Sequence, residues 1–101
     1  MKVVLSKRAI EDLIDIGRYI GRNNPTRAAS FVAELEARCV TLGDMPKGYP
    51  PLPGHEASGI RRRPFGDYLI FYRVEEATPR IDVLRVLRGA RDIEAILFAP
   101  D

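Results

Sequence analysis

Ile81-Asp82-Val83-Leu84-Arg85-Val86-Leu87-Arg88-Gly89-Ala90-Arg91-Asp92-Ile93 is the stretch whose reading decides the fold. β-Branched and apolar residues fill it, arginines interrupt it, Gly89 breaks it, and a helix opens at its end. Upstream, Asp67-Tyr68-Leu69-Ile70-Phe71-Tyr72-Arg73-Val74 has the same character. Glu76-Ala77-Thr78-Pro79 carries turn chemistry between them, so residues 68–75 and 80–88 are expected to form a hairpin. Arg73, Arg85, Arg88 and Arg91 then place fixed cations near one end of a sheet.

Working outward, residues 60–65 form a further strand, and Pro64 keeps its second half away from the centre of a sheet because proline has no amide donor. Residues 43–59 hold four prolines and four glycines in seventeen positions. This is a long irregular connection with room for a functional loop. Before it the period changes to that of helices. Ser6 offers an N-cap, and Ile10, Leu13, Gly17 and Ile20, widened by Ile14 and Ile16, form a stripe over residues 7–22. Asn24 and Pro25 restart a helix that carries Ala28, Phe31, Val32, Leu35, Cys39 and Leu42 on one face, with Gly43 as its stop. Residues 2–5 are β-prone. The order is β-αα-βββ-α, an α+β fold with a helical hairpin packed on a three- to four-stranded antiparallel sheet. A short amphipathic helix over residues 92–97 closes it.

The 101 residues suit one domain, 1–101. A net charge of +2 is too small to imply nucleic-acid binding, and it is evenly spread, with 8 basic and 7 acidic side chains in residues 1–59 and the same numbers in 60–101. The local exception is Arg61-Arg62-Arg63. One cysteine and one histidine give no disulfide and no Cys/His metal site. No apolar run reaches membrane-spanning length and no signal segment is visible, so a cytoplasmic protein is expected. Leu69 and Phe71 on one strand, and Leu84 and Val86 on the next, lie opposite the main apolar face, which takes Tyr68, Ile70, Tyr72, Val74, Ile81, Val83 and Leu87. The far face is therefore expected to be covered partly by the last helix and otherwise by a partner.

Three motif sets carry a resemblance. The first is Ala9-x-x-Asp12-Leu13-x-x-Ile16-x-x-Tyr19-Ile20 followed by Asn24-Pro25-x-x-Ala28. The second is Gly59-x-Arg61 running into Asp67-Tyr68-x-Ile70-Phe71-Tyr72-Arg73. The third is Val86-Leu87-Arg88-Gly89-Ala90-Arg91-Asp92. In this order, and over nearly the whole chain, they resemble the ParE/RelE superfamily of toxins from bacterial type II toxin–antitoxin systems, and within it the ParE branch. The resemblance implies two helices against an antiparallel sheet, and a cognate antitoxin protein that folds on the toxin surface. It also implies one of two activities: ParE-type members poison DNA gyrase, and RelE-type members cut messenger RNA on the ribosome. Many members have histidine where this chain has Arg88.

RNA cleavage needs a proton acceptor, a proton donor and cations between them. His55, the one histidine, falls in the Gly/Pro loop and reads as a solvated residue. Positions that resemble the catalytic ones of RelE-type members hold Tyr68, Ile96 and Leu97, while Arg91 fits a basic position common to both branches. Arginine binds anions but does not exchange protons. No catalytic residue, metal or cofactor is therefore assigned. The expected function is a gyrase inhibitor that acts by binding. The alternatives are a ribosome-dependent endoribonuclease and a non-toxic binding module of the same fold.

Arg61, Arg63, Arg73, Arg88 and Arg91 are the expected contacts to antitoxin or target. Direct sequence-specific recognition of nucleic acid is not expected. Arg61 and Arg63 share a strand face and also read as solvated charges guarding an edge. Arg73 and Arg85 also read as cross-strand partners of Asp67, Asp82 or Glu75. Tyr19 and Phe31 read as core, and Cys39 as a small buried hydrophobe.

Overall fold

The computed structural model describes residues 1–98. The chain runs β1 (Lys2–Leu5), α1 (Lys7–Gly21), α2 (Pro25–Val40), a 3-10 turn (Thr41–Asp44), a second one (Glu56–Ser58), β2 (Ile60–Phe65), β3 (Tyr68–Glu75), β4 (Arg80–Arg88) and α3 (Ile93–Leu97). The sheet order is β1-β4-β3-β2. The three later strands are antiparallel as expected, and β2, the strand with Pro64, lies beside β3 alone among the strands. Strand β1 differs, pairing with β4 in parallel. Most of the chain lies between those two strands, so no tight turn imposes an antiparallel return.

Both expected caps form. Ser6 accepts the Ala9 amide at 3.0 Å and Asn24 accepts the Arg27 amide at 3.0 Å, each satisfying a first-turn donor that has no helical partner. Gly17 lets the helices close, since a Cβ there would meet the Val32 side chain at 3.3 Å. Gly43 is not the stop of α2. That helix ends at Val40 and tightens into the 3-10 turn. Gly43 is needed for another reason, because a Cβ there would lie 2.3 Å from the Met1 carbonyl oxygen.

The main core lies between the helical hairpin and one sheet face, with Ala9, Leu13, Leu35 and Cys39 against Ile70, Tyr72, Ile81 and Val83. Burial pushes the Cys39 thiol up to about 11, so it is an inert filler of this core. Alternation on β4 breaks where the register with β3 shifts: Phe71 lies opposite Arg85 but Tyr72 lies opposite Val83. This bulge moves Val86, not Leu87, onto the helix-facing core. One extra residue inverts facing because the side-chain period is two.

The second face is covered largely from within the chain. Phe71 and Leu87 are buried there with Leu52 of the 43–59 connection and Ile60, and Ile93, Ile96 and Leu97 of α3 pack on them. The broad apolar partner site expected on this face is thus already occupied. The connection itself is structural. The Tyr72 hydroxyl donates to the Pro46 carbonyl at 2.9 Å, and the Leu52 amide bonds to the Ile60 carbonyl at 2.8 Å.

Where β1 ends opposite Val83, side chains of the α1 segment take over the free flank of β4. The Ser6 hydroxyl donates to the Leu84 carbonyl at 2.9 Å. Asp12 accepts the Val86 amide at 2.9 Å and binds the Arg85 guanidinium through both oxygens at 2.8 and 2.9 Å. The side chains are only 9% and 16% exposed. This pairing sets the roll of α1. Ile10 and Ile14 lie two residues to either side of Asp12 and so point away from it. They are 48% and 49% exposed and do not belong to the core stripe, which runs through Ala9, Leu13 and Ile16.

Removal of one partner from such a pair strands a buried charge, so Asp12→Ala is predicted to cost about 3–5 kcal/mol. For a chain of this size that is a fall in Tm of at least about 12 °C. An Asp12→Leu/Arg85→Met double variant is predicted to lose much less than the sum of the single variants. Urea unfolding of the four proteins checks this, and additive losses would show that the pair is not coupled.

Candidate functional site

Tyr19 stands seven residues after Asp12, two turns along the same flank of α1, and Arg88 stands two residues after Val86, on the same face of β4. The clamp therefore brings a second pair together nearer the surface. The Arg88 guanidinium lies over the Tyr19 ring, 5.7 Å from its centroid. Tyr19 is 53% exposed, which corrects its reading as a core residue. Beyond Arg88 the chain turns tightly. The Gly89 amide bonds to the Asp67 carbonyl at 2.9 Å and the Arg91 amide to the Arg88 carbonyl at 3.2 Å. The turn returns Arg91 to the same cleft.

The cleft has a volume of about 150 Å³ and is lined by Asp12, Asp15, Tyr19, Tyr68, Arg88 and Arg91, among others. A neighbouring recess of about 390 Å³ shares Tyr68 and Arg88 with it. Arg88 and Arg91 are exposed, and among the described residues neither makes an ion pair. Asp12 is already engaged with Arg85 and the Val86 amide. Burial raises the Tyr68 hydroxyl above its ordinary pKa of 10.0, against the pull of Arg88. It is thus a protonated donor at neutral pH and a poor general base.

The other three expected arginines lie elsewhere and are engaged. Arg61 donates to the Tyr49 carbonyl at 2.6 Å. Arg63 donates to the Arg38 carbonyl at 2.8 Å and to Thr41 Oγ1 at 2.7 Å, and its guanidinium lies 4.9 Å from the centre of the Tyr49 ring. It thereby caps the end of α2, where carbonyls lack helical partners. Arg73 donates to the Ser58 carbonyl at 3.1 Å. The β2 edge is not free either, since Pro51 bridges to Arg61 and the Arg62 amide bonds to the Pro50 carbonyl at 3.3 Å. Arg61 and Arg63 anchor the 43–59 connection and do not form an open cationic edge. Arg85 pairs with Asp12 in place of a cross-strand acid. Asp12, Arg85 and Tyr19 are the residues of the site that sequence reasoning did not assign, and an acid beside the apolar stripe of α1 was the available signal for the first.

His55 is half-buried, not solvated. It stacks on Phe98 at 4.4 Å between ring centroids and lies 3.6 Å from Glu94. These partners belong to the segment that covers the second sheet face, whereas the cleft opens on the α1 side. Among the described residues no group of three or more His, Cys, Asp and Glu side chains could hold a metal ion. No described helix is long and apolar enough to cross a membrane. The described lining of the cleft carries two fixed cations, two tyrosines and two carboxylates, and it holds no histidine.

Comparison with known proteins agrees with this architecture. Residues 3–93 match the family model described as the ParE toxin of the type II toxin–antitoxin system parDE. Toxin ParE1 of Caulobacter vibrioides is 33% identical over 94 residues, which are 92% of this chain and 94% of that protein. Among solved structures, the chromosomal ParDE toxin–antitoxin system of P. aeruginosa aligns with a TM-score of 0.75 at 20% identity, over 87% of this chain and 95% of that one. The toxin–antitoxin complex RelBE2 of Mycobacterium tuberculosis aligns at 0.64 and 21% identity, over 86% and 95%. A YoeB/ParE toxin of Agrobacterium tumefaciens aligns at 0.61 and 21% identity, over 88% and 99%. These structural likenesses bear on the fold.

The arginines separate into anchors and free cations, and stability is predicted to follow that division. Arg63→Gln loses two hydrogen bonds and a ring contact and should cost about 1–2 kcal/mol. Arg88→Gln and Arg91→Gln should each remain within about 1 kcal/mol of the parent. Urea midpoints read both, and a larger loss for Arg88→Gln than for Arg63→Gln would make Arg88 a structural residue.

Proposed function

This chain belongs to the ParE toxin family of type II toxin–antitoxin systems, and from that premise we propose that it arrests growth by binding DNA gyrase and is neutralised by a cognate antitoxin. In this reading one domain, residues 1–101, acts in the cytoplasm and catalyses no reaction. The observation that carries it is the composition of the cleft. Two guanidiniums and a protonated tyrosine stand there, with no histidine or lysine among the described lining residues. Of its two carboxylates, Asp12 is committed to Arg85 and the Val86 amide and Asp15 lies beside Arg18. The histidine is held on the opposite side of the sheet by Glu94 and Phe98. Such a site is suited to recognising a partner and offers no histidine or lysine for the proton transfers of RNA cleavage. Of the five arginines expected at the interface, Arg88 and Arg91 are the ones that line the cleft. The segment after Arg91 is a further candidate for target contact, and its last three residues, 99–101, lie outside those described.

Induced expression should produce filamentation and a DNA-damage response, and the purified chain should accumulate gyrase–DNA cleavage complexes. His55→Ala should keep this activity, losing the contact with Glu94 and the stack on Phe98, the latter about 0.5–1.5 kcal/mol. Growth arrest with rapid cleavage of translated messages and no effect on gyrase would assign the chain to the nuclease branch. Absence of any arrest would make it a non-toxic module.

A further inference from the structure

We infer that the Arg88–Arg91 cleft takes a single carboxylate side chain of a protein partner, and that in the reading above, on which this rests, the donor is an acidic residue of the antitoxin. The two guanidiniums are the available cations of the cleft. Arg88 is held over Tyr19 and so is oriented before anything binds, which lowers the ordering cost of a contact. Arginine presents paired N–H donors that match the two oxygens of a carboxylate. The protonated Tyr68 hydroxyl supplies another donor at the cleft wall.

The surroundings select a carboxylate over a nucleic-acid backbone. Asp15 stands at the same cleft with its side chain 74% exposed, tied only weakly to Arg18 at 4.0 Å. Asp12 and Asp15 both line the cleft, so a run of phosphates would add several negative charges where two already stand, and a single carboxylate adds one. Backbone binding also needs a track of several cations, and Arg61, Arg63 and Arg73 are not among the residues that line the cleft. The cleft, about 150 Å³, suits one side chain, and the recess of about 390 Å³ that shares Tyr68 and Arg88 leaves room for the backbone that carries it.

The test is an NMR titration of the isotopically labelled full chain. N-acetylglutamate methylamide, with one side-chain carboxylate, is compared with its glutamine counterpart and with dimethyl phosphate. The carboxylate should move the Arg88 Nε–H signal and the amides of Tyr19, Gly89 and Ala90, and the glutamine compound should not. Arg88→Gln and Arg91→Gln should each weaken the effect about tenfold. Dimethyl phosphate binding as well as or better than the carboxylate would overturn the proposal. Shifts absent from the cleft, or unchanged in both variants, would also overturn it. The gyrase assay, run without antitoxin, reports separately. If it is positive and the titration fails, the carboxylate site alone falls. If the gyrase assay fails and the titration succeeds, the toxin reading falls and the cleft stands.

Discussion

One carboxylate holds the helical layer to the sheet. Asp12 receives the Arg85 guanidinium through both oxygens and the Val86 amide through one. It sits where β1 has run out and β4 still has an open flank. An unpaired backbone donor buried there would be costly. Asp12 removes that cost, and the charge it brings is met by Arg85. Hydrophobic burial supplies the bulk driving force for packing α1, but it is non-directional. The clamp supplies direction, fixing which flank of α1 meets β4. Tyr19 reaches Arg88 as a consequence, and Ile10 and Ile14 are left outward.

Arginine serves two purposes in this small domain. Arg61, Arg63 and Arg73 reach backbone carbonyls that irregular structure and a helix end leave unpaired. A long guanidinium with several donors suits such work. The proline-rich connection that they hold in place buries Leu52 over the second sheet face and makes room for a second small core. Arg88 and Arg91 have no such duty. Cationic residues that read alike in the sequence therefore differ in role because of what lies within reach of each strand position.

The elements were legible from local signals. Serine and asparagine caps, the proline after Asn24, the turn at 76–79 and the hydrophobic periods marked the helices and strands. Pro64 pointed to an outer strand. What could not be read was long-range. No local signal told that β1 would lie parallel to β4, or that Asp12 would meet a residue 73 positions away. Tyr19 looked apolar by position because the roll of α1 is decided by that distant contact. The free edge assigned to Arg61 and Arg63 was taken by residues 50–52, whose prolines gave no sign of strand-like pairing. The covering of the second sheet face had the same origin, since three residues of a five-residue helix and one loop leucine accomplish it.

The bulge between Phe71 and Tyr72 on one side and Val83 and Arg85 on the other makes the length of β4 matter as much as its composition. Substitution within this strand changes one side chain, whereas loss of a single residue near Leu84 would invert everything after it. Val86 would leave the main core, and Arg88 would emerge beneath α3, separated from Tyr19 by the thickness of the sheet. Relatives that keep this cleft should accordingly tolerate many identities along β4 but no net insertion or deletion in it. Gaps between homologues should gather instead in the 43–59 connection and at the 76–79 turn. The residue count between Asp82 and Arg88 is thus as much part of the site as the guanidinium it delivers.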